Sequence, residues 1–312
     1  MVKTFDADNF DVLFKKVVHA ISENPQYICE PRGQKVKEIL APTLVLRNPR
    51  ARLLNIKARK ADYGFGVGEF LWYWNGREDL ESLLYYNKRA AQFSDDGKTV
   101  NSAYGFRIGV GQKARKFHGT SQWEACKKTL LADNDSRRAL LIINNGSDQL
   151  VAAGPKGSKD VPCTLSFQFF IRNNRLILHS HMRSNDVIWG LTYDLFSFTL
   201  LQEMMMLELN HEGRLGLDVG EYIHTAGSLH LYEPHFKMAQ EIGEEASSTK
   251  FRHAEKMERL DLEGLALLAG QEESLRLGKV AQLDEAQFSG GTRWMAIQLN
   301  AHRRKRDAER ER

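Results

Sequence analysis

Cys163 follows Pro162 in "KDVPCTLSFQF", so an extended backbone delivers its thiol to the mouth of a strand. There it either packs as a small apolar group or faces a cleft as a nucleophile. Arginines bear on that choice, because a nearby guanidinium favours the thiolate. Two stretches supply them: "NDSRR" carries Arg137 and Arg138, and "MRSNDV" carries Arg183 beside the hydroxyl of Ser184. Forked N–H donors with a hydroxyl also grip a dianionic phosphate. Asp194 is the only charge between Trp189 and Glu203 in "WGLTYDLFSFTLLQE". Ahead of a long apolar run, it reads either as a helix N-cap or as a carboxylate presented to a ligand. Glu69, among the apolar residues of "GEFLWYWNG", sits where a carboxyl pKa rises and proton transfer becomes useful, although a snorkelling surface Glu fits the same pattern. Histidines in "HSH" (His179, His181) and "HLYEPH" (His230, His235) suggest a metal, but no third ligand stands at a suitable spacing, so none is expected. "YGFGVGEF" lacks the Lys and Ser/Thr of a phosphate loop and the spacing of a dinucleotide fingerprint.

These side chains need a scaffold. Up to about residue 60 the pattern predicts a helix, a turn at "CEPRGQK" and extended stretches, and the helix carrying "GEFLWYWNG" follows, ended by its Gly. "SDDGKTVNSAYGFRIG" is too rich in Gly, Asp, Asn and Ser for regular structure. Residues 120–134 read as helix. "RALLIINN", "CTLSFQFFIRNNRLILHSHMRS" and "YIHTAGSLHLY" read as strands of one substantial sheet, with "RNN" as a hairpin turn. The helix from Asp194 is apolar nearly all round, which implies burial in the core. One domain over 1–299 is expected, with 236–290 as a charged helical layer and 300–312 as a basic, disordered tail.

Composition bounds the function. The chain has 312 residues, 42% hydrophobic and 27% charged, and much of its net charge of +4 comes from "HRRKRDAERER" at the end. No basic face with interleaved aromatics stands out, so nucleic acid is not an expected partner. Three cysteines (Cys29, Cys126, Cys163) without a CxxC argue against a disulfide framework or zinc site and for reduced thiols in a cytoplasmic protein. Neither a signal peptide nor a run of ~18 uncharged apolar residues is present.

Taken in order, "GEFLWYWNG", "NSAYG", "NDSRR", "VPCTLSFQF", "RSNDVIWGLTYD" and "GEYIHTAGSLHLYEPH" resemble the thymidylate synthase family, whose relatives include the cytidylate hydroxymethylases. The resemblance covers about residues 69 to 235. It implies an α+β fold in which a large mixed sheet is packed by helices and the sheets of two subunits face each other across a homodimer. It implies 5,10-methylenetetrahydrofolate as co-substrate, with no metal. Cys163 would attack C6 of a pyrimidine nucleotide, while Glu69, assisted by Tyr104, moves protons at the base. Arg32, Arg183 and Ser184 would bind the phosphate together with Arg137 and Arg138 of the other subunit. His230 and Tyr232 would hold the sugar 3′-hydroxyl, and Asp186, Gly190 and Trp72 would serve the folate side.

Asp194 stands where thymidylate synthases carry an Asn, whose amide both accepts and donates. A carboxylate accepts from both N3–H and N4–H of a protonated cytosine, whereas against uracil two acceptors face one another. The expectation is therefore 5-hydroxymethylation of a cytidine monophosphate. CMP is favoured over dCMP because Ser228 in "GSLH" replaces the family's usual Asp on the sugar side. A part in making a modified nucleoside, such as a nucleoside antibiotic, is consistent with that. The alternatives are a dCMP hydroxymethylase, a thymidylate synthase acting on dUMP, and a noncatalytic RNA-binding relative using its basic tail.

Overall fold

A computed structural model describes residues 3–111, 116, 118–153, 157–245 and 255–310. In chain order the elements are β1 (Thr4–Ala7), α1 (Phe10–Glu23), β2 (Tyr27–Cys29), β3 (Val36–Leu40), β4 (Thr43–Leu46), α2 (Tyr63–Trp74), α3 (Leu80–Tyr86), α4 (Tyr104–Ile108) and α5 (Gln122–Ala132). They continue with β5 (Leu140–Ile142), α6 (Gly146–Ala153), β6 (Thr164–Arg172), β7 (Arg175–Asp186), α7 (Gly190–Gly213), β8 (Asp218–Tyr232), α8 (Phe236–Glu244), α9 (Arg259–Arg276) and α10 (Gly290–Arg310). Side-chain oxygens of Asn9, Asp62, Asp79 and Ser121 accept from backbone N–H groups in the first turns of α1, α2, α3 and α5, fixing where those helices begin.

The strands form one eight-stranded mixed sheet in the order β1-β4-β8-β7-β6-β5, with β3 also on β8 and β2 on β3. Asn173 and Asn174, both at positive φ, make the tight turn of the β6–β7 hairpin that "RNN" predicts. β7 and β8 run parallel, which aligns Ser184 with Ser228 and Asp186 with His230. Alternation does the rest. Leu176, Leu178, Ser180 and Met182 of β7 are buried on one face, and Ser184 and Asp186 continue that face past the core to where solvent enters. α7 packs against this face, its Phe196, Phe198, Met204 and Met205 wholly buried, each contributing about 1.5–3 kcal/mol relative to exposure.

Three expectations change. Residues 300–310 are the last turns of α10, not a disordered tail, because Met295, Ala296, Leu299 and His302 form a buried stripe that carries the helix onward. His302 Nδ1 lies 3.3 Å and Lys305 Nζ 3.1 Å from the Asp62 carboxylate, so part of the basic run packs against α2. The polar segment after Ser94 also contains the short helix α4. It presses so closely on α2 that a Cβ on Gly105 would come 1.9 Å from the Tyr73 carbonyl oxygen, so the glycine that argues against regular structure is what seats this helix. Finally, α7 begins at Gly190, four residues ahead of Asp194, and Asp194 is not its N-cap. The Asp186 carboxylate accepts from the Ile188 and Trp189 N–H groups in the preceding turn instead.

Candidate active site

Pro162 and the β6 start place Cys163 against β7. The Arg183 N–H donates to the Cys163 carbonyl at 2.8 Å, and Arg183 Nη2 stands 3.5 Å from the Cys163 sulfur. The guanidinium is also spent on backbone, donating to the Pro162 and Val161 carbonyls at 3.0 and 2.8 Å. Burial therefore prevails: it pushes the thiol above its ordinary range, Arg183 pulls against it, and the Asp194 and Asp160 carboxyls push it further up. The arginine effect expected from sequence is present but outweighed by burial.

Asp194 projects from the first turns of α7. Its Oδ2 accepts a 2.6 Å hydrogen bond from the Asn185 amide, whose own oxygen is buried without a partner among the described residues. Gly190 makes room for this pair: a Cβ there would sit 3.0 Å from Asn185 Nδ2 and 3.5 Å from Asp194 Oδ2. Burial raises the Asp194 carboxyl to about 7 although the amide bond pulls it down. Glu69 on α2 is pushed up to about 8, by burial first and then by Asp194. Tyr104 of α4 lies with its ring 5.6 Å from that of Tyr73 and its hydroxyl 3.4 Å from the Thr164 N–H, beside Cys163. Burial raises Tyr104, and the charges of Cys163 and Asp194 add to that.

Glu69, Tyr104, Cys163 and Asp194 each keep partial solvent contact, whereas Gly68, Phe70, Ala103, Gly105, Pro162, Thr164, Tyr193 and Leu195 beside them in sequence are buried. The Asp194 charge acts on Glu69, Tyr104 and Cys163, so the four groups lie close together and share one partly solvent-accessible site, the recess. It holds a thiol, two carboxyls with raised pKa values and a phenol, a set suited to covalent addition with proton transfer.

Around the recess, Ser184 lies opposite Ser228 and Asp186 opposite His230, and Tyr232 follows two residues on along the same face of β8. Burial lowers His230 and the Asp186 charge opposes it. Arg32 sits in an exposed turn at φ 54, an uncommon conformation for a side chain of its size, and its charge acts on Cys163, His230 and Tyr232. Arg137 and Arg138 are exposed beside the edge strand β5 and belong to another part of the surface. Trp72 is also apart: it is buried and its indole N–H donates to the Asp79 carbonyl at 3.0 Å, so it is not among the groups the recess brings together.

Two residues escaped the sequence reading. Asn185 carries no signal in the sequence, yet among the described residues it is the one side-chain hydrogen-bond partner of Asp194. Arg59 is 1% exposed, donates from Nε to the Ile188 carbonyl at 2.7 Å, and stacks 4.1 Å above Trp189; its two terminal nitrogens have no partner among the described residues. Nothing in "IKARKADYG" marked it, since long-range burial decides which of several cations is enclosed. Among the described residues no cluster of His, Cys, Asp and Glu could hold a metal ion.

The sequence model of the family described as thymidylate synthase matches residues 13–266. The chain belongs to the thymidylate synthase family. Within it, the chain is 33% identical over 233 residues to a deoxyuridylate hydroxymethyltransferase of Bacillus phage SP01, covering 73% of this chain and 58% of that protein. A thymidylate synthase of Mycoplasma mobile is 32% identical over 131 residues, 42% of this chain and 41% of its own. A deoxyuridylate hydroxymethyltransferase of Pseudomonas phage M6 is 31% identical over 194 residues, 61% of this chain and 50% of its own. The chain thus spans about half the length of these curated relatives. Its eight-stranded mixed sheet packed by helices is the architecture that the family resemblance implies.

Proposed function

We propose that this thymidylate synthase family member catalyses folate-dependent 5-hydroxymethylation of a cytidine monophosphate, CMP in preference to dCMP. The observation that carries it is Asp194, a carboxyl in the same recess as Cys163 and free of any cation partner among the described residues. Ionised, it accepts from N3–H and N4–H of a protonated cytosine. Protonated, it donates to N3 of neutral cytosine while its other oxygen accepts from N4–H.

In this reading the Cys163 thiolate adds to C6 and the electron pair moves to C5, which attacks the methylene carbon of 5,10-methylenetetrahydrofolate. Glu69 and Tyr104 handle the base protons through ordered water; removal of the C5 proton expels tetrahydrofolate and leaves an exocyclic methylene. Water adds to that carbon, and departure of Cys163 from C6 restores the aromatic base. Arg183, Ser184 and Arg32 hold the phosphate, and Arg137 and Arg138 reach it from a second copy of the chain. Exposed Leu140 and Ile142 on β5, next to those arginines, support a homodimer through this side of the sheet. His230 and Tyr232 take the 3′-hydroxyl. Asp186 and Gly190 face the folate, and the enclosed Arg59 on Trp189 offers its free N–H groups to an anionic part of that co-substrate.

Two of the relatives are deoxyuridylate hydroxymethyltransferases, which supports water, not hydride, as the final reactant and favours a second reading on the base: deoxyuridylate. A protonated Asp194 can serve uracil too, accepting from N3–H and donating to O4. The deciding experiment incubates the protein with methylene-tetrahydrofolate and CMP, dCMP, UMP or dUMP, and weighs the products. A hydroxymethyl gain on cytosine nucleotides supports the proposal. The same gain on uracil nucleotides alone, or a methyl on dUMP with dihydrofolate formed, overturns it.

A further inference from the structure

Three strands carry a row of polar side chains on one face. β8 places Ser228 and His230 on the face that holds Ser184 and Asp186 of β7, and β3 sets Glu38 directly opposite His230 on its other side. The Ser228 hydroxyl donates to Glu38 Oε1, and the Ser228 oxygen is 3.5 Å from His230 Nδ1. Among the described residues no Lys or Arg forms an ion pair with Glu38; its second oxygen meets only the Cys29 thiol, at 3.8 Å. Glu38 and Ser228 both keep partial solvent contact. A carboxylate without a cation, tethered by a hydroxyl and held next to the histidine of the sugar side, is an acceptor waiting for a donor.

We infer that Glu38, oriented by Ser228, reads the 2′-hydroxyl of a bound ribonucleotide and makes the site selective for ribose over deoxyribose. This rests on the reading of the recess as a pyrimidine nucleotide site. His230 takes one sugar hydroxyl, so the neighbouring hydroxyl of a vicinal diol falls beside Glu38. Ser228 has committed its only proton to Glu38, so both oxygens present acceptors and both suit an O–H. A deoxyribose would offer C–H there and leave a carboxylate oxygen unpaired on binding, the kind of loss that discriminates strongly.

The test is equilibrium binding of CMP and dCMP, and of UMP and dUMP, to the full chain by titration calorimetry. The ribose member should bind about 10- to 100-fold tighter within each base pair. Glu38→Ala should weaken the ribose member far more than the deoxyribose member, bringing their ratio to within about threefold of unity. Ser228→Ala, which removes the tether but leaves the strand intact, should lower the ratio by less, and it serves as the readout if Glu38→Ala does not fold. Equal or inverted sugar preference in the parent, or variants that weaken both sugars alike, would overturn the inference. Ribose selection on uracil nucleotides with no binding of cytosine nucleotides would support it while overturning the base assignment. Binding of no pyrimidine nucleotide would overturn both.

Discussion

α7 buries two carboxyls in opposite ways. Glu203, in its middle, is fully enclosed and meets Arg50 Nε at 2.8 Å and also Arg52, itself fully buried. Asp194, near its start, has one amide at 2.6 Å. The first meets two guanidiniums, one of which also pairs with Asp218, and ties the segment after β4 to the core. The second carries a raised carboxyl with room for another partner. An interior carboxyl whose charge is balanced is locked into structure, whereas an unbalanced one stays chemically available.

That contrast can be broken most forcefully at the reacting end. Cys163→Ser should lower product formation by about 10³-fold or more while nucleotide binding changes by less than about threefold. Comparable turnover in the serine variant would remove Cys163 from the chemistry and Asp194 from its company. At the structural end, Glu203→Ala should cost about 3–5 kcal/mol in urea unfolding, because it leaves the fully buried Arg52 without its carboxylate partner. Asp194→Asn, by contrast, should cost under about 1 kcal/mol at neutral pH. The sign follows from the raised carboxyl: ionising Asp194 in the fold is unfavourable, so the parent loses stability as pH rises from the ordinary carboxyl range through about 7, and the Asn variant does not. Equal losses at the two positions would mean that both carboxyls are structural.

The same contrast explains what sequence could convey. Local signals served well: the two asparagines of the hairpin, the alternation along β7 and β8, and the apolar circumference of α7 each follow from neighbours in sequence. Cys163, Asp194 and Glu69 were visible because their types are out of keeping with their surroundings. Asn185, Arg59 and Glu38 were not, since each gains its place from a partner that only the fold supplies: Asp194 across a turn, Trp189 over a loop, Ser228 on another strand. The N-cap reading of Asp194 failed because the helix starts a turn earlier than the apolar run suggests, and Asp186 accepts from the turn that precedes it.

Substituting Asp194→Asn should swing the ratio of kcat/KM for cytosine over uracil nucleotides toward uracil by about 10- to 100-fold, since the amide supplies a donor for O4 and removes an acceptor from N4–H. An unchanged ratio would show that the residue does not touch the base.

The finest test uses pH and the hydrogen bond from Asn185. Uracil can be accepted only while Asp194 keeps a proton to give to O4, so discrimination against it should be full well above pH 7 and fade as pH falls through about 7. Ionisation of Cys163 and Glu69 affects both substrates and largely cancels in the ratio. Asn185 stabilises the ionised form; Asn185→Ala removes a charge-assisted bond worth about 1.5 kcal/mol, close to one pH unit. The variant's profile should therefore shift upward by about 1 pH unit with its plateau at high pH preserved, because the base contact itself is intact. A profile that is flat between pH 6 and 9 in both proteins would place the titrating carboxyl elsewhere. A downward shift would mean that the Asn185 amide stabilises the protonated form, contrary to the geometry in which its N–H donates to Oδ2.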